Sequence, residues 1–321
     1  MSENYSAPTL NSDPYLRRLR RRGVLNVVVI LTAILAIAIL TVIIIVNLPR
    51  NTETPKIAQQ TILDLWSEKN YSEVAAATNV SLEISPLDPF YLIFNGLSNF
   101  YLGLAESDGE KRIAFMNISI FSIRKALLDD KSPLRLEAIY VLGKAYYYKG
   151  RDYYDDAISY LTKSVEAGYP ANDIWEYLAL SAQGLGLIEQ SIKYYEQAIT
   201  IKPESPELLV AAANVNMIAG NVLRVEQLIN TALTITADEY LAERCNFILG
   251  ESYRIQRRFE EAITRFTLIK ERNPQSADAW YYEGLVYMDA GEPIRARAAW
   301  RKAVSIDPMH MEARLKLSEH S

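Results

Sequence analysis

The chain has 321 residues, half of them apolar, with a formal net charge of −5, one cysteine and two histidines. That balance describes a folded body, and the single Cys245 excludes both an intrachain disulfide and a structural zinc site built on several thiolates. Net acidity also argues against nucleic acid as a partner, because proteins that bind it concentrate positive charge.

Residues 1–22 read as a disordered cytoplasmic tail ending in a cluster of Arg17, Arg18, Arg20, Arg21 and Arg22. From Val24 to Val46 the sequence runs 23 residues without a charge. As a helix this stretch would measure roughly 35 Å against a hydrocarbon core of about 30 Å, so residues 23–48 are predicted to be a transmembrane anchor. A cleavable secretory leader has an apolar stretch of only about 7 to 15 residues, which disfavours that reading. The side of a membrane richer in Lys and Arg is the cytoplasmic one. The arginine cluster therefore predicts a single-pass inner-membrane protein with its N-terminus in the cytoplasm and everything after Leu48 on the periplasmic, extracytoplasmic side.

Beyond the apolar run the sequence repeats itself. Gly250, Tyr253, Ala262, Phe266 and Pro274 are followed 34 residues later by Gly284, Tyr287, Ala296, Trp300 and Pro308. A period of this length marks stacked modules, each of which buries its apolar face against the next. Small residues at Gly284 and Ala296 suit a close helix crossing that Tyr287 and Trp300 would fill, and Pro308 ends the second helix. With Trp280 and Gly291, the pattern over 277–310 resembles the tetratricopeptide repeat, the landmarks of which are W-x-x-L-G-x-x-Y, A-x-x-x-F, then A and P; Glu283 replaces the leucine.

The resemblance implies an all-α fold: a TPR superhelical solenoid of about seven helical hairpins, preceded by the one N-terminal transmembrane helix. Carried backward, the register divides 55–310 into units 55–88, 89–135, 136–171, 172–205, 206–242, 243–276 and 277–310. Three units carry surplus residues. Unit 89–135 has roughly 13 extra, around Glu106 to Lys111 and in a longer second helix; unit 136–171 has about two extra before Ala157; unit 206–242 has three extra at its end. Residues 311–321 are expected to form a short C-terminal cap.

In the family the concave groove is lined by positions 2, 5, 9, 12 and 13 of each unit. Here these fall on Phe90, Ile93, Leu97, Phe100 and Tyr101, then on Glu137, Tyr140, Lys144, Tyr147 and Tyr148, with Trp66 added by the first unit. The resemblance therefore implies an aromatic protein-binding groove at Trp66, Phe90, Ile93, Leu97, Phe100, Tyr101, Tyr140, Tyr147 and Tyr148. Aromatic residues at helical spacing suit a buried core equally well. Further along, the same positions give Asp173, Glu176, Leu180, Gln183 and Gly184, then Glu207, Val210, Asn214, Met217 and Ile218, then Arg244, Phe247, Glu251, Arg254 and Ile255, then Asp278, Tyr281, Leu285, Met288 and Asp289, a more polar surface of mixed sign. Position 5 of the first five units holds Gln59, Ile93, Tyr140, Glu176 and Val210, which departs from the lysine and asparagine clamp of chaperone-tail binders.

Nothing in the pattern suggests catalysis. His310 and His320 are expected to face solvent, and the paired carboxylates lack any acid/base or metal spacing, so no enzyme, cofactor, metal or small-molecule substrate is expected. The expected function is a membrane-anchored extracytoplasmic scaffold for protein–protein interaction or assembly of an envelope complex, of the kind associated with secretion or flagellar motors. The alternative is a periplasmic chaperone-like holdase for exported polypeptides.

Overall fold

A computed structural model describes residues 57–319. The predicted tail 1–22, the predicted anchor 23–48 with Arg17, Arg18, Arg20, Arg21 and Arg22, and His320 lie outside the described residues. Among the described residues there are fifteen α-helices, one 3-10 turn and no strand, and no helix is long and apolar enough to cross a membrane.

The helices pair in chain order. They are α1 (Gln59–Ser67) with α2 (Tyr71–Ile84), α3 (Pro89–Ala105) with α4 (Gly109–Ala126), α5 (Arg135–Lys149) with α6 (Tyr154–Glu166), and α7 (Ile174–Gly184) with α8 (Ile188–Ile201). Then follow α9 (Pro206–Ile218) with α10 (Val222–Ile235), α11 (Glu239–Ile255) with α12 (Phe259–Arg272), and α13 (Ala277–Asp289) with α14 (Pro293–Ile306). A single helix, α15 (Met311–Glu319), packs on α14.

Side-chain size at the crossing holds each hairpin closed. The Trp300 indole is fully buried over Gly284, and the Phe266 ring lies over Gly250, where a Cβ would come within 2.6 Å of it. In the third hairpin Leu161 covers Gly143, with 2.7 Å left for a Cβ. Interiors packed at crystal-like density tolerate no added carbon at such points.

The turn inside five of the seven hairpins uses one residue in the left-handed region. Gly186, Gly220 and Gly291 supply it at φ near +77°, +76° and +78°, where a missing Cβ removes the steric cost. Lys69 and Arg257 adopt the same conformation at φ +59° without that relief.

The surplus residues are absorbed at hairpin edges. In the second hairpin they lengthen α3 and α4 to 17 and 18 residues, in the third they form the 3-10 turn Arg151–Tyr153, and near Ala242 they extend α11 back to Glu239. Asp108 and Asp238 cap two of the lengthened helices by accepting backbone N–H bonds at 2.9 and 3.0 Å, satisfying donors that have no partner within the helix.

The stack bends toward its first helices. α1 touches α3, α3 touches α5, α5 touches α7, α9 touches α11 and α11 touches α13, whereas second helices of successive hairpins make no contact of comparable extent. The odd-numbered helices therefore form the inner, concave row.

His310 corrects an expectation. It is not a solvent-facing residue: it is 7% exposed, and its Nδ1 accepts the Ala313 N–H at 3.3 Å, so it caps α15 from the junction with α14. Cys245 is fully buried in α11, and burial pushes its thiol up to about 11, which leaves it without thiolate reactivity at neutral pH.

Candidate functional site

The inner row carries two different surfaces, each set by the side chains its helices project. At the N-terminal end the predicted aromatic groove is partly interior. Ile93, Leu97 and Phe100 are at most 2% exposed and belong to the core with Ala138, Val141, Leu142 and Ala145, so they do not line an open groove. The physical reason is the packing of α3, which is surrounded by α2, α4 and α5 with little of its surface left free. Phe90 packs on Tyr91 and Phe94 at ring distances of 5.3 and 4.7 Å, and Trp66 sits edge-on to Tyr71 and Phe94 at 5.3 Å from each. Tyr101 stacks on Tyr71 at 4.6 Å, and burial pushes its hydroxyl up to about 12.

Next along the row, α5 and α7 meet through a polar network set in aromatic rings. The Lys144 ammonium, on a side chain only 8% exposed, donates to Asp173 Oδ2 at 2.9 Å and to the Tyr140 hydroxyl at 3.1 Å. It lies 4.3 Å from the Tyr177 ring centre and 5.1 Å from that of Tyr140, close enough for cation–π attraction. Tyr140 in turn donates a short hydrogen bond to Asp173, and the Tyr148 and Tyr177 hydroxyls share a bond of 2.7 Å. Tyr147 stacks on Tyr154 at 5.4 Å and meets Tyr177 edge-on at 5.0 Å.

The chemistry of this network is structural. Burial pushes the Asp173 carboxyl up, but the hydrogen bonds from Tyr140 and Lys144 outweigh it and hold the group below the ordinary range. Burial and the bond to Asp173 together drive the Tyr140 hydroxyl far above its ordinary value. A buried cation paired, hydrogen-bonded and ringed by tyrosines is satisfied from within the chain. This part of the row is closed by its own side chains.

Toward the C-terminus the row opens. Asn214 and Met217 of α9, Phe247, Ile248 and Glu251 of α11, and Asp278 and Tyr282 of α13 line a cleft of about 310 Å³. Its floor is aromatic, with Phe247 and Tyr282 meeting at 5.8 Å over Phe266. Glu251 on the rim is engaged by Arg254 at 2.8 Å, and Arg254 also reaches Asp289. Beside the cleft, Ile218 and Ile255 present exposed aliphatic side chains at 63% and 52%.

Sequence reading placed Asn214, Met217, Phe247, Glu251 and Asp278 on the inner face but passed them over as polar and mixed. It missed Ile248 and Tyr282 altogether. The signal was present, because these two stand 34 residues apart, at one and the same place in successive units. Among the described residues no group of His, Cys, Asp and Glu has the arrangement of a metal site. An apolar floor with a few oriented polar groups at its rim suits an inserted side chain of another polypeptide.

Residues 277–310 and 140–206 match family models of one repeat type. These segments are tetratricopeptide repeats. Among solved structures, the chain is similar to the C-terminal part of a tetratricopeptide-repeat-containing protein from Cytophaga hutchinsonii, with a TM-score of 0.61 and 15% identity over 81% of this chain and 99% of that one. It is also similar to a tetratricopeptide repeat protein from Parabacteroides merdae, with TM-score 0.48 and 15% identity over 69% of this chain and 98% of that one. A further likeness is to PilF of Pseudomonas aeruginosa, with TM-score 0.47 and 15% identity over 73% of this chain and 94% of that one. The Cytophaga likeness shows the fold, a tetratricopeptide-type solenoid that spans most of the described residues. No curated protein matches the sequence.

Proposed function

We propose that this chain is a protein-interaction scaffold whose client segment enters the cleft between α9, α11 and α13. The observation that carries the reading is the cleft itself: an apolar depression on the inner face of a tetratricopeptide solenoid, open where the neighbouring tyrosine network is shut. Tetratricopeptide repeats are a protein-binding architecture, and a stacked array offers an extended surface rather than an enclosed reaction chamber. The reading assigns no catalytic step to the chain.

The remainder of the proposal rests on the sequence. The uncharged run Val24 to Val46 is long enough to serve as an anchor, and the arginine cluster before it favours an N-terminus in the cytoplasm with the array outside. On that reading the scaffold assembles components of a bacterial envelope complex. Burial of Ile93, Leu97 and Phe100 takes away part of the aromatic surface that a holdase for unfolded chains would use.

A photocrosslinking residue at Met217 in the full chain, activated in native membranes, tests the binding mode. One dominant adduct is expected, and it should disappear with Phe247→Asp on a chain of unchanged helicity. Absence of any adduct would remove the cleft from function, and a ladder of many clients would favour the holdase. Protease accessibility in spheroplasts separately checks the side on which the array lies, since a body protected until lysis would reverse the topology.

A further inference from the structure

The outer surface of the second hairpin carries a feature that protein binding in the groove does not use. On α4, Ile113 and Ile118 are 42% and 43% exposed, Phe121 is 66% exposed, and Leu128 just past the helix end is 84% exposed. At about 100° per residue these four fall with Asn117, Arg124 and Lys125, and with Glu110 of the first turn, on a stripe roughly 140° wide. Met116, Ile120 and Ile123 fill the opposite, buried side. Among the described residues no other helix exposes as many large apolar side chains.

Charge is unevenly placed as well. Between Lys111 and Leu128 the sequence has four basic residues and no acid, in a chain whose net charge is −5. Arg112 is turned away and bonded to the Glu106 carbonyl at 2.7 Å. Arg124 has only a 3.3 Å bond to the Tyr146 hydroxyl, with Asp156 of α6 acting on it from beyond ion-pair range. Lys125 rests 5.6 Å over the Phe121 ring. Neither Arg124 nor Lys125 meets a carboxylate within ion-pair distance among the described residues. Asp108, Glu110, Asp129 and Asp130 stand at the two ends of the helix, where Asp108 caps its start and Asp130 pairs with Arg135.

We propose that this stripe docks on an anionic lipid surface, with Phe121 and Leu128 entering the acyl boundary and Arg124 and Lys125 meeting lipid phosphates. Protruding apolar side chains with cationic heads at their margin are the pattern by which a helix lies in a membrane interface. A second copy of the chain fits less well, because a two-fold contact centred on the stripe would bring both sets of Arg124 and Lys125 together. This inference stands apart from the groove reading and survives its failure.

The test attaches an environment-sensitive dye at Leu128→Cys in the full chain on a Cys245→Ala background, with a second probe at Thr200→Cys on α8 as the control. The protein is reconstituted in phosphatidylcholine vesicles with or without phosphatidylglycerol and a lipid-borne quencher. Expected are a blue shift and quenching at position 128 only, appearing with the anionic lipid. Removing both charges by Arg124→Gln and Lys125→Gln should lower the docked-to-free ratio roughly thirtyfold, following the contribution of each basic residue near an anionic surface. A dye at 128 that stays as wet as the one at 200 in every vesicle overturns the proposal. So does a blue shift that grows with protein concentration in the absence of anionic lipid, which would assign the stripe to a protein contact.

Discussion

At the scale of single residues, the hairpin turns record a compromise. Five glycines among the described residues lie at positive φ, three of them between the two helices of a hairpin at values within a few degrees of one another, yet Lys69 and Arg257 occupy the same kind of turn with a side chain. The left-handed conformation costs an L residue about 1 to 2 kcal/mol, of which the greater freedom of glycine in the unfolded chain returns a part. Arg257→Gly is therefore expected to stabilise the protein by about 1 kcal/mol, read as a higher urea midpoint, and a lower midpoint would mean that the Arg257 side chain holds something in place. In the opposite sense, Ala296→Leu adds three carbons where Ala296 is fully buried against the Gly284–Trp300 crossing and should cost about 1 to 3 kcal/mol. An unchanged melting temperature would place that residue outside the crossing. These positions were legible because each landmark has one steric duty: Gly284 is small because an indole lies on it, and Trp300 is large because the space beside Gly284 must be filled.

At the scale of helices, the junction of α5 with α7 depends on Lys144 and Asp173. Removing one member of a partly buried pair leaves the other desolvated and unmatched, so Lys144→Met should cost about 2 kcal/mol, more than Lys144→Met combined with Asp173→Asn. A double variant that costs the sum of the two single variants would mean that the pair contributes no coupling. The pH dependence follows from the sign of the shift. The Asp173 carboxyl lies below its ordinary value of 3.8 in the folded chain, so its contribution is present above that value and is lost as the pH falls through the lower folded one. Glu137, raised by burial, works the other way: it favours the folded chain below its ordinary value of 4.5, and that contribution is lost as the pH rises through the higher folded value. As the pH falls from neutral, the urea midpoint should thus rise slightly toward pH 4.5 on account of Glu137 and then drop below 3.8 on account of Asp173, the drop being less steep in Asp173→Asn; identical profiles would remove Asp173 from the acid response. None of this pairing was legible beforehand. Lys144 and Asp173 both sit at groove positions of the repeat, where the pattern says only that a side chain points inward and not that two inward side chains from successive units satisfy each other.

At the scale of the whole array, periodicity announced the fold and misplaced the opening. The repeat register names which positions face inward on every hairpin equally, but access at those positions depends on how long the neighbouring helices are and on what their tips cover. In the second hairpin Ile93, Leu97 and Phe100 are buried against Met116, Ile123, Ala138 and Val141 of α4 and α5, while α9, α11 and α13 keep a cleft between them. The register does not separate those two outcomes, because it places a residue on the inner face without fixing how far the neighbouring helices cover it. The tyrosine network and the cleft thus lie on one continuous inner row with opposite character. The first is saturated from within, and the second has an apolar floor left uncovered.

The inner row also has one thinner joint, since α7 meets α9 less extensively than the other first helices meet their successors. Two arcs meet there, one holding Lys144 and Asp173 and the other holding the cleft, and since the apolar core joins α8 to α9 across the seam, any extra compliance should be confined to its inner edge. Spin labels on either side of it, at Lys163 and Thr264, are expected to give a broader distance distribution than a pair within one arc, narrowing when a client is seated; equally sharp distributions would make the array a uniform spring. On that expectation, a client seated in the cleft would be read out as a change of angle between the two halves of the array.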